Sequence, residues 1–170
     1  LCGREALIVK ICHSTIAHGF VKRIDTAAAE RIPGVVRVLT CFDVPEFPFP
    51  TAGHPWSTDP AHQDVADRLL LNRHVRYYGD EVAVVIAEDE VAAAQGVRAL
   101  EVEYEELPFV LDPQKAMEGE APQIHEEFPG NILKHTDIRR GDYQTAIQEP
   151  DLVKVEGWYD TPTVQHCHIE

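Results

Sequence analysis

The sequence lacks the features that mark several large classes of protein. It has no run of about 18 apolar residues, so it predicts no transmembrane helix. It has neither Gly-x-Gly-x-x-Gly nor Gly-x-x-x-x-Gly-Lys-Ser/Thr, so it gives no phosphate-binding signal. No basic segment leads into an apolar stretch at the start, so no secretory signal peptide is expected. Because it lacks an initiator Met and starts almost directly in a strand-like run, we expect a fragment of a longer protein.

Basic residues are scarce. The chain has 15 Lys and Arg against 29 Asp and Glu, a formal net charge of −14. Such a surface repels phosphate backbones and anionic headgroups, so nucleic acids and anionic membranes are not expected partners. The acidic residues are spread over helices and loops, which is typical of a soluble cytoplasmic protein.

Cysteine is also sparse and shows no metal-binding pattern. The four cysteines are Cys2, Cys12, Cys41 and Cys167, and no two of them form a Cys-x-x-Cys pair. Their spacing matches no zinc or iron–sulfur template. We therefore expect buried, reduced thiols in a cytosolic protein.

One stretch predicts the centre of the fold. Val82–Ala87 is an almost unbroken apolar run, rich in β-branched side chains, after a Gly79-Asp80 turn. Such a run is typical of a strand buried on both faces, so we expect it in the middle of a sheet. A helical pattern over Asp89–Arg98 and an alternating strand over Leu100–Glu105 follow. Together they fit a βαβ-type unit of an α/β or α+β fold.

Further elements lie on either side of this unit. Before it, the sequence predicts strands at Ala6–Cys12, Phe20–Ile24, Val35–Thr40 and within Asn72–Arg76, and a helix at Ala27–Arg31 with Asp25 and Thr26 as candidate caps. After it, helices at Pro113–Met117 and Tyr143–Gln148, opened by Asp112 and Asp142, and a strand at Leu152–Tyr159 are predicted. Five prolines interrupt residues 43–70, and a long irregular stretch is typical of a functional loop or an interdomain contact.

Two histidines near the end are the sharpest candidates for metal ligands. His166 and His168 would share one face of a strand, with Glu170 next on that face. Such a pair can chelate zinc, copper or iron. A metal site needs a further ligand or a water in a defined geometry, and the sequence identifies none. Because the chain has nine histidines, chance pairs are expected, and the metal interpretation stays the weaker one.

Two other groups of side chains favour structural roles. His13 and His18 flank Ser14 and Thr15, a hydroxyl–imidazole pattern found in nucleophilic catalysis. No Gly-x-Ser-x-Gly turn or particular orienting carboxylate accompanies them, so we expect the hydroxyls to cap a turn. The second group is a carboxylate cluster that alternates with apolar residues, which predicts the solvent face of a half-buried strand rather than a catalytic pair. It comprises Glu101, Glu103, Glu105 and Glu106.

The order of short motifs carries more information than any single motif. They run Ser14–Gly19, Ile24-Asp25, Ile32–Val35, Asp43–Pro45, Val75–Val85, Val102–Pro108, Gly141-Asp142 and Val155–Tyr159. As a set, they resemble the xanthine dehydrogenase and aldehyde oxidase family of molybdenum hydroxylases over essentially the whole chain. Within it, Pro50–Trp56 and Thr161–Glu170 look most like the separate molybdenum-binding subunit of bacterial xanthine dehydrogenases.

The resemblance implies a fold and an activity. It implies an α+β fold in which residues 1–117 form an α/β-hammerhead domain, residues 118–131 a linker, and residues 132–170 the start of the first molybdopterin-binding domain. It also implies that the parent protein is an oxidoreductase whose molybdenum–pterin cofactor hydroxylates a carbon next to nitrogen, with oxygen drawn from water. The expected substrate is a purine such as xanthine or hypoxanthine, and electrons leave through iron–sulfur clusters and FAD toward a nicotinamide.

Two motifs of the family are missing from this sequence. The Phe-Gly-Gly-Gly-Phe-Gly pterin motif and the late Gly-Glu segment with the catalytic base both lie further along the relatives' chains. The resemblance therefore assigns no catalytic, cofactor-binding or metal-binding residue here, and we expect an inert scaffold without its own cofactor. The expected partners are the remaining molybdopterin-binding domains and the iron–sulfur and flavin subunits of an oligomeric, cytoplasmic enzyme.

Two alternatives stay open. The same family acts on aldehydes, carbon monoxide or other heterocycles, and the residues that set specificity lie in the absent domains. A stand-alone interaction domain is the second alternative, since a fold does not fix a function. The end of the sequence inside a strand-like run favours a fragment, whose unpaired Leu152–Tyr159 strand would promote self-association or remain disordered in the isolated chain.

Overall fold

The structure, a computed structural model, describes residues 6–49, 68–133, 135, 137, 138 and 140–162. The chain divides into two compact units, Leu1–Leu133 and Lys134–Glu170. The strands are β1 (Ile8–His13), β2 (Gly19–Asp25), β3 (Val35–Thr40), β4 (His74–Val75), β5 (Glu81–Ala87) and β6 (Glu101–Glu106). The helices are α1 (Ala27–Glu30), α2 (Glu90–Arg98), α3 (Pro113–Ala116) and α4 (Tyr143–Ala146), and Pro129–Asn131 forms a 3-10 turn.

The strands form two antiparallel three-stranded sheets. The first has the order β1-β5-β3 and the second the order β4-β2-β6. The apolar strand β5 lies between two partners and is buried along most of its length, as its sequence predicts. Few helices and two antiparallel sheets make an α+β fold, which confirms the predicted class.

The predicted βαβ-type unit is wrong. Strand β6 follows α2 as expected, but it pairs with β2 in the second sheet and not in the sheet of β5. Both edges of β5 are already hydrogen-bonded, to β1 and to β3, so β6 has no place beside it. Helix α2 therefore connects two sheets instead of crossing over one.

Helix α2 packs against one face of the first sheet. Its buried residues are small, Ala92, Ala93 and Gly96. A Cβ atom on Gly96 would lie 2.6 Å from Cγ1 of Val85 in β5, so the absence of a side chain lets the helix approach the strand closely. Ala87 and the half-buried Ile8 extend this contact along the sheet.

A second apolar cluster joins the two sheets. Val21 of β2 and Val75 of β4 pack with Cys12 of β1 and Val82 of β5, and three of these four side chains are fully enclosed. The cysteines Cys12 and Cys41 are buried free thiols, and burial raises the pKa of both, that of Cys41 to about 11. The prediction of buried reduced thiols is confirmed for these two; Cys2 and Cys167 lie outside the described residues.

Aspartate side chains start most of the helices as predicted. Asp89 accepts a hydrogen bond from the N–H of Ala92, and Asp112 and Asp142 do the same for α3 and α4. Helix α1 differs, because Thr26 makes no capping bond and Asp25 accepts from the N–H of Ala27 instead.

The segment predicted as a linker makes several hydrogen bonds within the first unit. The amide of Asn131 donates to the carbonyl oxygens of Ala116 and Pro122, and its oxygen accepts from the N–H of Ile124. Arg76 also donates to the carbonyl of Ile124. The boundaries 1–117, 118–131 and 132–170 stay a prediction.

The predicted strand Leu152–Tyr159 is wrong for the part of the chain that is described. This segment has no assigned strand, and Val153, Val155, Trp158 and Tyr159 are more than four-fifths exposed. A strand needs a hydrogen-bonded neighbour, and none of the described strands pairs with this segment. No helix in the described ranges has the length and apolar character needed to cross a membrane.

Candidate functional site

Ser14 holds the junction between the end of β1 and the start of β5. Its hydroxyl oxygen lies 3.1 Å from the backbone nitrogens of Gly79 and Asp80, from which it accepts. The same hydroxyl donates to the carbonyl of Tyr77 at 3.1 Å, and Ser14 is 1% exposed. Gly79 turns the chain here with a φ of +98°, a conformation that favours glycine. The hydroxyl is engaged with backbone groups, so the prediction that it caps a turn is confirmed.

The neighbouring groups of the hydroxyl–imidazole pattern are also bound to the framework. The Nδ1 atom of His13 lies 2.7 Å from the carbonyl of Gly79 and donates to it. Thr15 hydrogen-bonds to Tyr104 of β6, whose pKa is raised chiefly by burial. The structure does not bring His13 or His18 into hydrogen bonding with the hydroxyl of Ser14, which bonds to backbone groups. The arrangement fixes a turn and gives no activated nucleophile.

His18 pairs with His74, which no sequence pattern marks as a candidate. Its Nε2 atom lies 3.2 Å from Nε2 of His74, and its Nδ1 atom lies 2.7 Å from the carbonyl oxygen of Pro108. A carbonyl can only accept, so His18 carries its proton on Nδ1 and accepts from His74. His74 stacks on Phe20 with ring centroids 4.4 Å apart. Burial, followed by the charge of Arg76, lowers the pKa of His74 to about 4, so His74 is neutral at pH 7.

A buried carboxylate lies beside this junction. Asp80 is 3% exposed, and it accepts from the Nδ2 amide of Asn72 at 2.6 Å and from the N–H of Arg76 at 3.2 Å. Burial raises the pKa of Asp80. The sequence showed the Gly79-Asp80 turn but not this network, because nothing in the pattern indicates that the carboxylate points inward. Its partners are a backbone group and an amide, so the network supports the turn.

The carboxylate cluster lies on the solvent face of β6, as predicted. Glu101, Glu103 and Glu105 are exposed and alternate with the half-buried Val102 and Tyr104. Two of the three glutamates pair with cations of the neighbouring strand, at 2.7 Å for Lys22–Glu105 and 3.7 Å for Arg23–Glu103. Such exposed ion pairs contribute little to stability, and none of these three glutamates lies in an apolar environment.

The described residues provide no observation that fits a bound metal or pterin. Within residues 6–49, 68–133 and the described positions beyond, no group of three or more His, Cys, Asp or Glu side chains could hold a metal ion. Every buried side-chain nitrogen or oxygen among them has a hydrogen-bond partner. The candidate ligands His166, His168 and Glu170 lie outside the described residues, so the metal interpretation stays a prediction.

The sequence is similar to those of known oxidoreductases. Residues 3–108 match the family model described as the aldehyde oxidase and xanthine dehydrogenase, a/b hammerhead domain. The chain is 44% identical, over 161 residues and 95% of its length, to the xanthine dehydrogenase molybdenum-binding subunit of Escherichia coli O157:H7. It is 41% identical over 124 residues, 73% of its length, to the carbon monoxide dehydrogenase large chain of Hydrogenophaga pseudoflava.

The fold is similar to part of a solved enzyme. The aldehyde oxidoreductase from Desulfovibrio desulfuricans ATCC 27774 superposes with a TM-score of 0.65 and 31% identity over 75% of this chain. The chain covers 14% of that enzyme's chain, 21% of the Escherichia coli subunit and 15% of the carbon monoxide dehydrogenase chain. It therefore spans about a fifth or less of the length of these relatives.

Proposed function

Because the chain belongs to the aldehyde oxidase and xanthine dehydrogenase family, we propose that it is the hammerhead portion of a molybdenum hydroxylase that oxidises a purine such as xanthine or hypoxanthine. The observation that carries the proposal is the 44% identity to a xanthine dehydrogenase molybdenum-binding subunit over 95% of this chain. Identity at that level over nearly the full chain supports a shared place in a larger protein, since the hammerhead fold alone would not fix a function.

The chemistry of the parent protein would come from a molybdenum–pterin cofactor, which replaces a hydrogen on a carbon next to nitrogen by a hydroxyl from water and takes up two electrons. This chain's own residues do something different. The Ser14 hydroxyl fastens the end of β1 to the turn before β5, and the His18–His74 pair fastens the start of β2 to β4 and to Pro108. Their polar groups form hydrogen bonds with one another and with the backbone. Because they are already bonded within the fold, they support the proposal of a scaffold that is inert by itself.

The domain organisation is part of the proposal. We infer that residues 1–117 form the hammerhead domain, that residues 118–131 lead out of it, and that residues 132–170 begin the first molybdopterin-binding domain. Further molybdopterin-binding domains and iron–sulfur and FAD-containing subunits would be the partners of the whole enzyme, an oligomer in the cytoplasm. The buried free thiols of Cys12 and Cys41 are consistent with a reducing compartment.

A second substrate class is supported by a specific observation. The 41% identity to a carbon monoxide dehydrogenase large chain covers 73% of this chain. We expect the matched part to be scaffold without a group that binds substrate, so this identity favours the family over any one substrate. Carbon monoxide, an aldehyde or another heterocycle is therefore the alternative substrate.

The intact protein from its native source tests the proposal. We expect a polypeptide several times longer than this chain, molybdenum in a stoichiometric amount, and turnover of xanthine or hypoxanthine with a suitable electron acceptor. Turnover of an aldehyde or of carbon monoxide alone would keep the family and replace the substrate. A native polypeptide ending near Glu170 and containing no molybdenum would overturn the proposal in favour of a stand-alone interaction domain.

Glu103→Gln and Glu105→Gln in the intact enzyme test whether this segment takes no part in the reaction. Both side chains lie on the exposed face of β6, so we expect kcat per bound molybdenum to stay unchanged. A loss of more than about tenfold, equivalent to about 1.4 kcal/mol of transition-state stabilisation, would show that this segment takes part in the reaction.

A further inference from the structure

A surface cavity opens beside β4. Its volume is about 320 Å³, which is the size of sites that hold small organic molecules. His74 of β4 lies directly opposite Phe20 of β2, so the two side chains share one face of the second sheet. Their rings stack with centroids 4.4 Å apart and form one wall. We name it the arginine cavity, and its lining residues are Phe20, Glu46, Leu69, Arg73, His74 and Arg76.

Two arginines are held at this cavity by contacts that leave most of their hydrogen-bond donors free. The guanidinium carbon of Arg73 lies 5.3 Å from the centroid of the Phe42 ring, and such a cation–π contact uses no N–H donor. Nε of Arg76 donates to the carbonyl oxygen of Ile124 at 3.4 Å, which engages one of the five donors of a guanidinium. Both side chains are therefore positioned in advance with donors to spare.

The cavity is positively charged in an otherwise acidic protein. No carboxylate in the described part of the chain forms an ion pair with Arg73 or Arg76. Glu46 also lines the cavity, is exposed and pairs with neither arginine. Because His74 is neutral at pH 7, the two arginines outweigh the one carboxylate. The cavity therefore attracts an anion, although the chain as a whole has a net charge of −14.

We propose that the arginine cavity binds a small aromatic carboxylate. The free donors of Arg73 and Arg76 suit the carboxylate group, since guanidinium groups bind carboxylates through short, charge-assisted hydrogen bonds. Phe20 and Leu69 provide apolar surface for the ring. The inference goes beyond the proposed function and does not rest on it, because every residue that carries it lies within this chain.

Modification of arginines by phenylglyoxal in the intact protein tests the site. Peptide mapping gives separate rates for Arg73, Arg76 and the exposed Arg31, which directly follows α1. For a dissociation constant of about 1 mM, benzoate at about 10 mM should slow Arg73 and Arg76 at least about fivefold and leave Arg31 unchanged. Sodium chloride at equal ionic strength is the reference, because salt screens exposed charges. No slowing, or equal slowing of all three arginines, would overturn the proposal.

Inorganic phosphate distinguishes an aromatic carboxylate from oxyanions in general. At the same concentration it should protect the two arginines at least about threefold less than benzoate, because it has no ring to contact Phe20 and Leu69. Equal protection by phosphate would overturn the proposal in favour of a general oxyanion site. Arginines that react slowly without any added anion, and readily only in urea, would mean that the intact protein itself fills the cavity. That result would also overturn the proposal.

Two substitutions at exposed positions test the charges without removing a buried group. Arg73→Gln should raise the benzoate concentration needed to protect Arg76 at least about tenfold. Glu46→Gln removes the carboxylate of the cavity and should lower that concentration about two- to fivefold. Arg31→Gln is the matched control and should leave it unchanged. An unchanged concentration in either of the first two variants would overturn the proposal. No readout requires molybdenum or turnover, so failure here would leave the proposed function standing.

Discussion

The Nε2 atoms of His18 and His74 lie 3.2 Å apart in one hydrogen bond that links residues 56 positions apart in the sequence. Pro108 fixes the direction of this bond, because its carbonyl oxygen accepts a hydrogen bond from Nδ1–H of His18. The other ring nitrogen of neutral His18 is then the acceptor. Protonation of His74 at its second ring nitrogen would leave this bond in place but would put a positive charge where burial disfavours it.

We predict that this pair makes the fold less stable in mild acid. The pKa of His74 is lowered from 6.5 to about 4 by burial and by the nearby Arg76, His18 and His125. Between these two pH values, His74 binds a proton in the unfolded chain but not in the folded chain. The free energy of unfolding therefore keeps its full value above about pH 6.5 and falls as the pH drops toward 4. At this half-buried site the loss should be about 1–2 kcal/mol.

His74→Gln provides the measurement, because its amide keeps a donor for His18 but does not titrate. Urea unfolding of the variant should show a shallower loss of stability between pH 6.5 and 4 than the unchanged protein. His135→Gln is the matched control, since His135 is exposed, and it should leave the slope unchanged. An identical slope in all three proteins would contradict the assigned role of His74.

Ser14→Ala should destabilise the junction of β1 and β5. The substitution removes the acceptor used by the N–H groups of Gly79 and Asp80 in a site that is 1% exposed. Both N–H groups have a second, backbone partner within 3.3 Å, so we expect a loss of about 1–2 kcal/mol and not more. Amide hydrogen exchange at Gly79 and Asp80 measures it directly. Thr145→Ala, which removes an exposed hydroxyl bound to Asp142, should cost less than about 0.5 kcal/mol.

Gly96→Ala should destabilise the protein although alanine is the better helix former. Intrinsic propensity alone would stabilise α2 by about 1 kcal/mol. The added Cβ would lie 2.6 Å from Cγ1 of Val85, so α2 must move off the sheet, which costs about 1–3 kcal/mol. We expect a net loss in urea unfolding.

Two further variants separate the clash from other effects of the substitution. Gly119→Ala is the control, since a Cβ there meets no atom within 4 Å, and it should change stability by less than about 0.5 kcal/mol. Combining Gly96→Ala with Val85→Ala removes Cγ1 of Val85, the atom with which the new Cβ clashes. The losses in the free energy of unfolding from the two substitutions should therefore be less than additive. Full additivity would show that the clash with Val85 is not the cause.

The parts of the fold that depend on local pattern were predictable. The apolar run Val82–Ala87 placed β5 in the centre of a sheet, and Asp89 placed the start of α2. The partner of β6 was not predictable, because it depends on which sheet edges are already occupied. The side of β1 that faces α2 was hidden for a related reason: Ile8, Val9, Ile11 and Cys12 put apolar side chains on both sides of the strand, so the sequence does not indicate which side packs on the helix.

The local part of the site was predictable and its long-range part was not. Ser14 lies in a polar loop that ends at Gly19, and hydroxyls in such loops commonly cap turns, so its role follows from the sequence. His74 and Asp80 acquire their roles from contacts with distant or buried groups. Neither residue belongs to a pattern with the period of a helix or a strand, and the sequence alone does not show which side chains are buried.

Asp80→Asn should be tolerated, whereas Asp80→Ala should not. The carboxylate of Asp80 is nearly fully buried and accepts from Asn72 and from the N–H of Arg76. Burial raises its pKa from the ordinary value of 3.8, so the negative charge is favoured less in the fold than in water. The protonated carboxyl therefore adds to the free energy of unfolding. This contribution is complete below pH 3.8 and is lost as the pH rises through the folded-state pKa. An amide removes the charge, and Asn72 can turn its own amide to present oxygen to the new N–H groups.

The two substitutions therefore separate the charge of Asp80 from its hydrogen bonds. Asp80→Asn keeps both bonds, and we expect it to lie within about 1 kcal/mol of the unchanged protein at pH 7. Asp80→Ala leaves the amide of Asn72 and the N–H of Arg76 unsatisfied in a buried site, which should cost about 2–4 kcal/mol. Urea unfolding at pH 7 compares them. Equal losses would mean that the ionised carboxylate itself is required, and the turn before β5 would then depend on a buried charge rather than on its hydrogen bonds.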